Sequence, residues 1–329
     1  MTGGFTATQL DNIGQIDATG IEATVNGSVY NSENLSVNVF ANTAYIDEIV
    51  TDLGGAPPLK TGGSYPRYRN FLKEGYAPGS FFGAVLDPNM AIPLDLNRNC
   101  SEPSRAEALE FFSEARNPSS FEVIPVGCAG GAAEYLDSYI GKPTPDFAGS
   151  TGFNINFLGS FDLSTNFEYR AGNYHTQDLT GAFRQANAVI GRNVPGTARV
   201  ASIMQNPAST AEQRLEAALE WAREYRALAP MSGMNQIWTS DFIRLREVSL
   251  SYRLPTDMIE GFGLDNAAIT LGGRNVHLWM FGDYRGIDPE INPQSNCTGA
   301  GVNCNFLTGT EAFGVPIPRR FTFSLRAGF

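Results

Sequence analysis

The last nine residues, Phe321-Thr322-Phe323-Ser324-Leu325-Arg326-Ala327-Gly328-Phe329, alternate without a fault. Phe321, Phe323, Leu325, Ala327 and Phe329 fall on one side, with Thr322, Ser324, Arg326 and Gly328 on the other. A period of two over a whole segment reads as a β-strand with one apolar face, because successive strand side chains point to opposite sides. The sequence closes on an aromatic, where a soluble sandwich more often finishes in a frayed, polar tail.

Composition widens the reading. Only 17% of the 329 residues are charged, and Gly is abundant at 35; a soluble domain carries about 25% charge. No run of about 18 apolar residues offers a transmembrane helix, but a membrane-spanning strand needs only ~9–11 alternating residues. A net charge of −11 argues against nucleic acid as a partner, since that contact requires basic patches. The two histidines, His175 and His277, leave little material for a metal centre. The four cysteines form two local pairs, Cys100 with Cys128 and Cys297 with Cys304, in loop-like sequence. They are disulfide candidates and suit an oxidising compartment; metal is the competing reading, but no Cys-x-x-Cys spacing supports it. After Met1 the residues Thr-Gly-Gly-Phe-Thr carry neither a basic n-region nor an apolar h-region. An exported barrel would then be expected to lack its beginning here.

Upstream, the same alternation recurs. Ile21, Ala23, Val25 and Val29 alternate with polar residues, and after Asn31-Ser32-Glu33-Asn34 so do Leu35, Val37, Val39, Ala41, Thr43 and Tyr45. A hairpin of long strands is expected. A second, tight one is expected at Gly159-Ser160, with Phe153, Ile155 and Phe157 before it and Phe161, Leu163, Phe167 and Tyr169 after it. The polar side of that hairpin holds Asp162, Glu168 and Arg170, which a dry core would reject and a wet lumen accepts. In Ser240–Pro255, Val248, Leu250, Tyr252 and Leu254 share a face, but Arg244 and Arg246 have the same parity. Either the upstream part has left the apolar layer, or a bulge shifts the register. Ala267–Trp279 supplies another strand. Between these lie three long insertions, about 51–148, 172–237 and 280–318. The first contains a capping box at Ser104–Glu107, and the second a helix from about Thr210 to Leu228 with a box at Ser209 and Glu212. The count is about seven strands, with short turns at one end and long loops at the other, as in outer-membrane barrels.

Several segments then resemble a known family. Asp241-Phe242-Ile243-Arg244-Leu245-Arg246-Glu247-Val248-Ser249-Leu250-Ser251-Tyr252-Arg253-Leu254-Pro255 is similar to the late-strand signature of SusC/RagA-type TonB-dependent outer-membrane transporters. So are Gly273-Arg274-Asn275-Val276-His277-Leu278-Trp279, Tyr284-Arg285-Gly286-Ile287-Asp288-Pro289-Glu290, and the close from Phe313 to Leu325. Asn12–Glu22 and Glu74–Gly83 resemble upstream motifs of the family. The resemblance implies an all-β fold: an antiparallel transmembrane β-barrel segment with long extracellular loops, in the bacterial outer membrane. It implies import of oligosaccharides or peptides with a SusD-like surface lipoprotein, energised through TonB. Family barrels have about 22 strands around a plug. Residues 1–329 are therefore expected to be the C-terminal portion of such a barrel, without plug, TonB box or N-terminal strands, and not transport-competent alone. The terminal strand, with Phe321, Phe323, Leu325 and Phe329, is expected to face outer-membrane lipid, close the barrel and carry the signal read by the barrel-assembly machinery.

Tyr76, Phe81, Phe82 and Trp238 are candidate stacking platforms for sugar rings or apolar peptide side chains; packing within the loops is the plainer reading for each. Asp288, Glu290 and Asn292, like Asp95-Leu96-Asn97-Arg98-Asn99, superficially suit Ca²⁺, but Cys100 stands where an EF-hand loop has Gly, and loop hydrogen bonding is favoured. Gly127–Gly131 lacks the Lys-Ser/Thr of a phosphate loop. Nothing reads as catalysis, metal or cofactor binding, and the chain is not expected to be an enzyme. The rival expectation is a soluble or surface-exposed β-rich binding module, lectin-like or adhesin-like, which would fold as a monomer in plain buffer.

Overall fold

The computed structural model describes residues 14–62, 68–83, 105–117, 138–181, 195–221, 236–290 and 307–329. Seven long strands form one antiparallel sheet: β1 (Gln15–Asn31), β2 (Leu35–Asp52), β3 (Phe147–Phe157), β4 (Phe161–Ala171), β5 (Phe242–Arg253), β6 (Asn266–Met280) and β7 (Arg320–Gly328). Each pairs with its neighbour in chain order, so the sheet is a plain meander with β1 and β7 at its two ends, and it is not closed. All seven strands expected from the alternation are present.

Register fixes the faces, because residues directly opposite in an antiparallel pair lie on the same side of the sheet. Tyr45 opposes Ile21 and Phe147, Phe157 opposes Leu35 and Phe161, Leu250 opposes Leu163 and Leu271, and Phe323 opposes Leu271. One apolar face therefore runs unbroken across all seven strands. Its large side chains are exposed at the two ends, Ile21 and Phe323 each at 69%, and half-exposed in the middle, as at Phe153, Ile155 and Leu163. The opposite face carries Glu22, Asn38, Asn154, Asp162, Glu168, Arg244, Ser249, Thr270 and Ser324. A soluble protein seldom exposes an apolar patch beyond a few hundred Å².

Two aromatic rows border the apolar face. Near the short turns, Phe157 stacks on Phe161 at 5.1 Å and Phe161 on Tyr252 at 4.5 Å. Toward the long loops, Tyr45 meets Phe147 at 5.2 Å and Phe167 meets Trp279 at 6.3 Å. Phe147 and Phe157 are separated along β3 by ten residues, roughly 34 Å of strand, or about 25 Å of membrane normal at a tilt of ~40°. That is the height of the apolar band in outer-membrane barrels. Among the described residues no helix is long and apolar enough to cross a membrane.

The bulge reading of β5 is the one the structure shows. Its pairing with both β4 and β6 slips between Leu245 and Glu247. Below the slip Val248, Leu250 and Tyr252 lie on the apolar face; above it Ile243 and Leu245 do. Phe242 and Arg244 consequently share the polar face with Glu247, Ser249 and Ser251. In β6 the matching irregularity holds Asn275 at φ 51°.

The long-loop segments contribute two small sheets that lack any period in the sequence. Leu59–Lys60, Asn70–Leu72, Ser80–Gly83 and Ser138–Gly141 form one; Ile237–Thr239, His175–Asp178 and Thr310–Glu311 form the other. They also supply helices α1 (Arg105–Phe111), α2 (Pro195–Gln205) and α3 (Ala211–Glu220), which enclose a core of Phe112, Val200, Met204, Leu215 and Trp221. Buried Arg214 holds that cluster together with no carboxylate partner among the described residues. Its guanidinium donates to the carbonyls of Phe112 and Ser113 after α1, at 2.9 and 2.7 Å, and of Asn206 and Pro207 after α2, both at 3.0 Å. A cation at two helix C-termini is also favoured by the helix dipoles. The capping box of α3 is one residue later than the sequence suggests. Thr210 Oγ1 accepts from the Gln213 N–H, and Gln213 Oε1 from the Thr210 N–H. Ser209 is instead held in the preceding turn, its N–H donating to Asn206 O.

Candidate functional site

Two features distinguish the long-loop end. The first is an ion-pair cluster against the polar face. Arg244 and Arg246 on β5, with Arg170 and Glu168 on β4, receive Asp288 and Glu290 from the third long loop. Arg244 contacts Asp288 at 2.6 Å and Glu290 at 2.5 Å. Arg246 contacts Glu168 at 2.5 Å and also Glu290, and Arg170 lies 3.9 Å from Glu290. Arg244, Asp288 and Glu290 each keep 5% or less of their side chains exposed. Asp288 further accepts from the N–H groups of Glu290 and Ile317, and Tyr174 Oη donates to Pro289 O at 2.8 Å. The Asp288 and Glu290 carboxylates are thus taken up by arginines and backbone amides; Asn292 lies outside the described residues.

The second feature is an open cleft of ≈ 580 Å³, lined by Asp47 and Glu48 at the end of β2 and by Tyr76, Tyr139, Lys142, Asp146 and His175 from the loops. Tyr76 and Tyr139 lie 5.0 Å apart, centroid to centroid, tilted by 32°. Burial, then the Asp146 carboxylate and Tyr76, hold the Tyr139 phenol above its ordinary value, so at neutral pH it is a hydroxyl donor. Lys142 pairs with Asp146, whose other oxygen accepts from Asn173 Nδ2 at 2.9 Å. Two aromatic rings beside carboxylates and an amide can stack on a ring or cover a cation while hydrogen-bonding its polar groups.

Of the candidate platforms, Tyr76 lines this cleft. Phe81 and Phe82 are buried, at 0% and 1% exposure, and present no ring face to solvent. Phe82 instead supports the cleft from behind, 4.9 Å from Tyr76 and 5.7 Å from Tyr139. Trp238 stands apart and half-buried; the Arg285 guanidinium covers its ring at 4.6 Å and its indole N–H donates to Gln236 Oε1. The terminal-strand residues Phe321, Phe323, Leu325 and Phe329 are exposed at the β7 end of the apolar face. His277 packs on Trp279 at 4.4 Å. Cys100, Cys128, Cys297 and Cys304 lie outside the described residues, as do Ser104, Asp95–Asn99 and Gly127–Gly131. Tyr139 and the arginine cluster escaped the sequence reading. A ring-bearing strand residue in a loop, and partners 44 positions apart, give no local signal.

A wide antiparallel meander with an uncovered apolar face, a charged inner face and loops gathered at one end defines a sheet of the outer-membrane barrel class. The chain's sequence is similar to those of TonB-dependent receptors, and its fold to that of a solved peptide transporter. It is 24% identical over 98% of its length to TonB-dependent receptor P3 of Formosa agariphila, covering 30% of that protein. It is 22% identical over 87% of its length to TonB-dependent receptor P39 of the same organism, covering 28% of it. In fold it is similar to the RagAB peptide transporter, with a TM-score of 0.58 and 16% identity over 98% of this chain and 30% of that one. No protein-family model matches the chain. The chain thus spans about 30% of the length of the full-length relatives it aligns with end to end.

Proposed function

We propose that this chain forms part of the barrel wall of a TonB-dependent importer in a bacterial outer membrane. The apolar face meets lipid, the charged face lines the lumen, and the long loops stand outside the cell. The observation that supports this most directly is the apolar face running without a break over seven strands, in a chain that aligns along 98% of its length with a TonB-dependent receptor. Further strands complete the barrel beyond β1 and β7, because open edges in lipid leave backbone groups unsatisfied at several kcal/mol each. Import of peptides or oligosaccharides then requires the whole barrel, a plug, TonB acting through the N-terminal part, and a SusD-like lipoprotein over the loops. The barrel-assembly machinery reads the aromatic face of β7, with Phe321 and Phe323. Tyr76 and Tyr139 in the cleft, with Trp238 apart from them, are the substrate-contacting rings; Phe82 holds the cleft pair in place.

Epitope insertion in producing cells tests this reading. A tag after Gly55, in the first long loop, is expected to be reached by antibody on intact cells. A tag after Gly159, in the β3–β4 turn, should be reached only after permeabilisation. Recovery of folded protein in plain buffer, or the reverse labelling pattern, would overturn it. In the same cells, collapsing the proton-motive force should abolish uptake of labelled peptide or oligosaccharide.

A further inference from the structure

Asp178 and Glu311 stand directly opposite each other where Thr310–Glu311 runs parallel to His175–Asp178. Both are buried, Glu311 completely. Glu311 Oε1 accepts from Thr180 Oγ1 at 2.6 Å, while its Oε2 has no donor among the described residues. Asp178 Oδ1 accepts from the Gly181 N–H at 2.6 Å, and the two carboxyl groups lie within hydrogen-bonding reach of each other. An ionised carboxylate only accepts, so two of them hydrogen-bond only when one carries a proton. Two bare charges that close, in a dry site, cannot both persist. Other groups around the pair do not change this. Tyr284, from the third loop, faces both carboxylates and Asp288 as a neutral phenol. Arg69, from the first loop, donates its backbone N–H to Gln177 Oε1 beside Asp178, and His175 begins the same strand, bonded through Nδ1 to Asn173 O.

The pair sits where the three long loops are joined. Asp178 belongs to the second and Glu311 to the third. Asn70 of the first accepts from Thr310 Oγ1 at 3.0 Å and donates to Thr308 O at 2.9 Å. Phe313 N–H reaches across to Thr180 Oγ1 at 2.8 Å. We propose that Asp178 and Glu311 form a proton-sharing latch that fastens the third long loop to the second, and that loss of the shared proton releases it. The direction follows from linkage. Burial first, then Asp178, pushes the Glu311 carboxyl up to about 7. A group whose value is raised in the docked state holds an extra proton there. The stabilisation of docking is therefore complete below the ordinary Glu value of about 4.3 and is lost as pH rises through the docked value. Because the same loop carries Asp288 and Glu290, unlatching frees one end of the segment that lies against the charged face.

Amide hydrogen exchange on the full chain in detergent, corrected for the intrinsic rate, tests the latch. Protection of Thr310–Ala312 is expected to fall at least about tenfold between about pH 5 and pH 9, while Leu250 on β5 stays constant. Glu311→Gln, which donates to Asp178 without titrating, should keep the segment protected across the range, and Asp178→Asn should do the same. A flat wild-type profile would overturn the proposal. So would a pH-dependent loss that survives in both variants while β5 remains protected.

Discussion

In the cluster of α1, α2 and α3, Phe112, Val200 and Met204 are wholly buried and, Arg214 and Thr197 apart, the polar side chains look outward; in the sheet, Phe321, Phe323 and Leu325 are exposed while Arg244 is enclosed with Asp288 and Glu290 of the third loop. On the proposed function, one chain has built the first region for water and the second for lipid outside and water inside. Burial of apolar surface drives the helices together. In the sheet it cannot act that way, because lipid tails are as apolar as leucine. What holds strand to strand there is the backbone ladder, and what holds a loop to the wall is a set of enclosed charges. The two regions also use arginine differently. Arg214 is satisfied by helix-end carbonyls, whereas Arg244 is satisfied by carboxylates from a distant loop.

The contrast is sharpest when the same substitution is made in both places. Phe112→Ala should cost the helical cluster about 3–5 kcal/mol by the cavity it leaves. Phe323→Ala should cost the detergent-solubilised sheet under about 1 kcal/mol, since solvent or lipid fills the space. Denaturation followed by Trp221 fluorescence for the cluster and by far-ultraviolet dichroism for the sheet compares them. Equal costs would erase the distinction. Next in size, Leu250→Arg at mid-height on the apolar face should destabilise the bilayer-inserted protein by about 2–4 kcal/mol. On a water-exposed sheet surface the change would be within about 0.5 kcal/mol, so refolding yield into vesicles separates the two. Smallest is Thr210→Ala, which removes one arm of the α3 capping box and should cost about 1 kcal/mol in the cluster, with no change in sheet protection. A comparable loss from Ser209→Ala would restore the earlier placement of the box.

How much of this was legible depends on which solvent a segment faces. The seven strands were readable because one apolar and one polar face impose a strict period on every residue, as from Leu35 to Tyr45. Even the bulge left a trace, as Arg244 and Arg246 in the wrong parity. The small sheets were not readable: Asn70–Leu72 and Thr310–Glu311 are two or three residues long and are fixed by contacts over 200 positions apart, such as Asn70 with Thr310. Helix α2 begins at Pro195 and carries no cap signature that stood out among its neighbours. In the box of α3, Ser209 and Thr210 each precede an acid or amide by three, and only the turn at Asn206 decides between them. Of the candidate site, Tyr76 was named from composition alone. Its partner Tyr139, and the burial of Phe81 and Phe82, depend on how the loops meet.

The slip at Arg246 changes how insertions and deletions are tolerated. Above that point β5 runs half a period out of step with its lower part, because Glu247 and Leu245 face consecutive residues of β4 and Arg246 is the one left over. Deleting Arg246 would therefore remove the slip and leave every face as it is, with Ile243 and Leu245 on the apolar side and Phe242 and Arg244 on the polar side. What it would take away is the guanidinium that joins Glu168 to Glu290. One residue inserted into the regular stretch from Glu247 to Arg253, with no second bulge to absorb it, would instead reverse the faces of everything above it, so length variation in this chain is expected to be free in the loops, absorbed at the slip and resisted in the rest of β5.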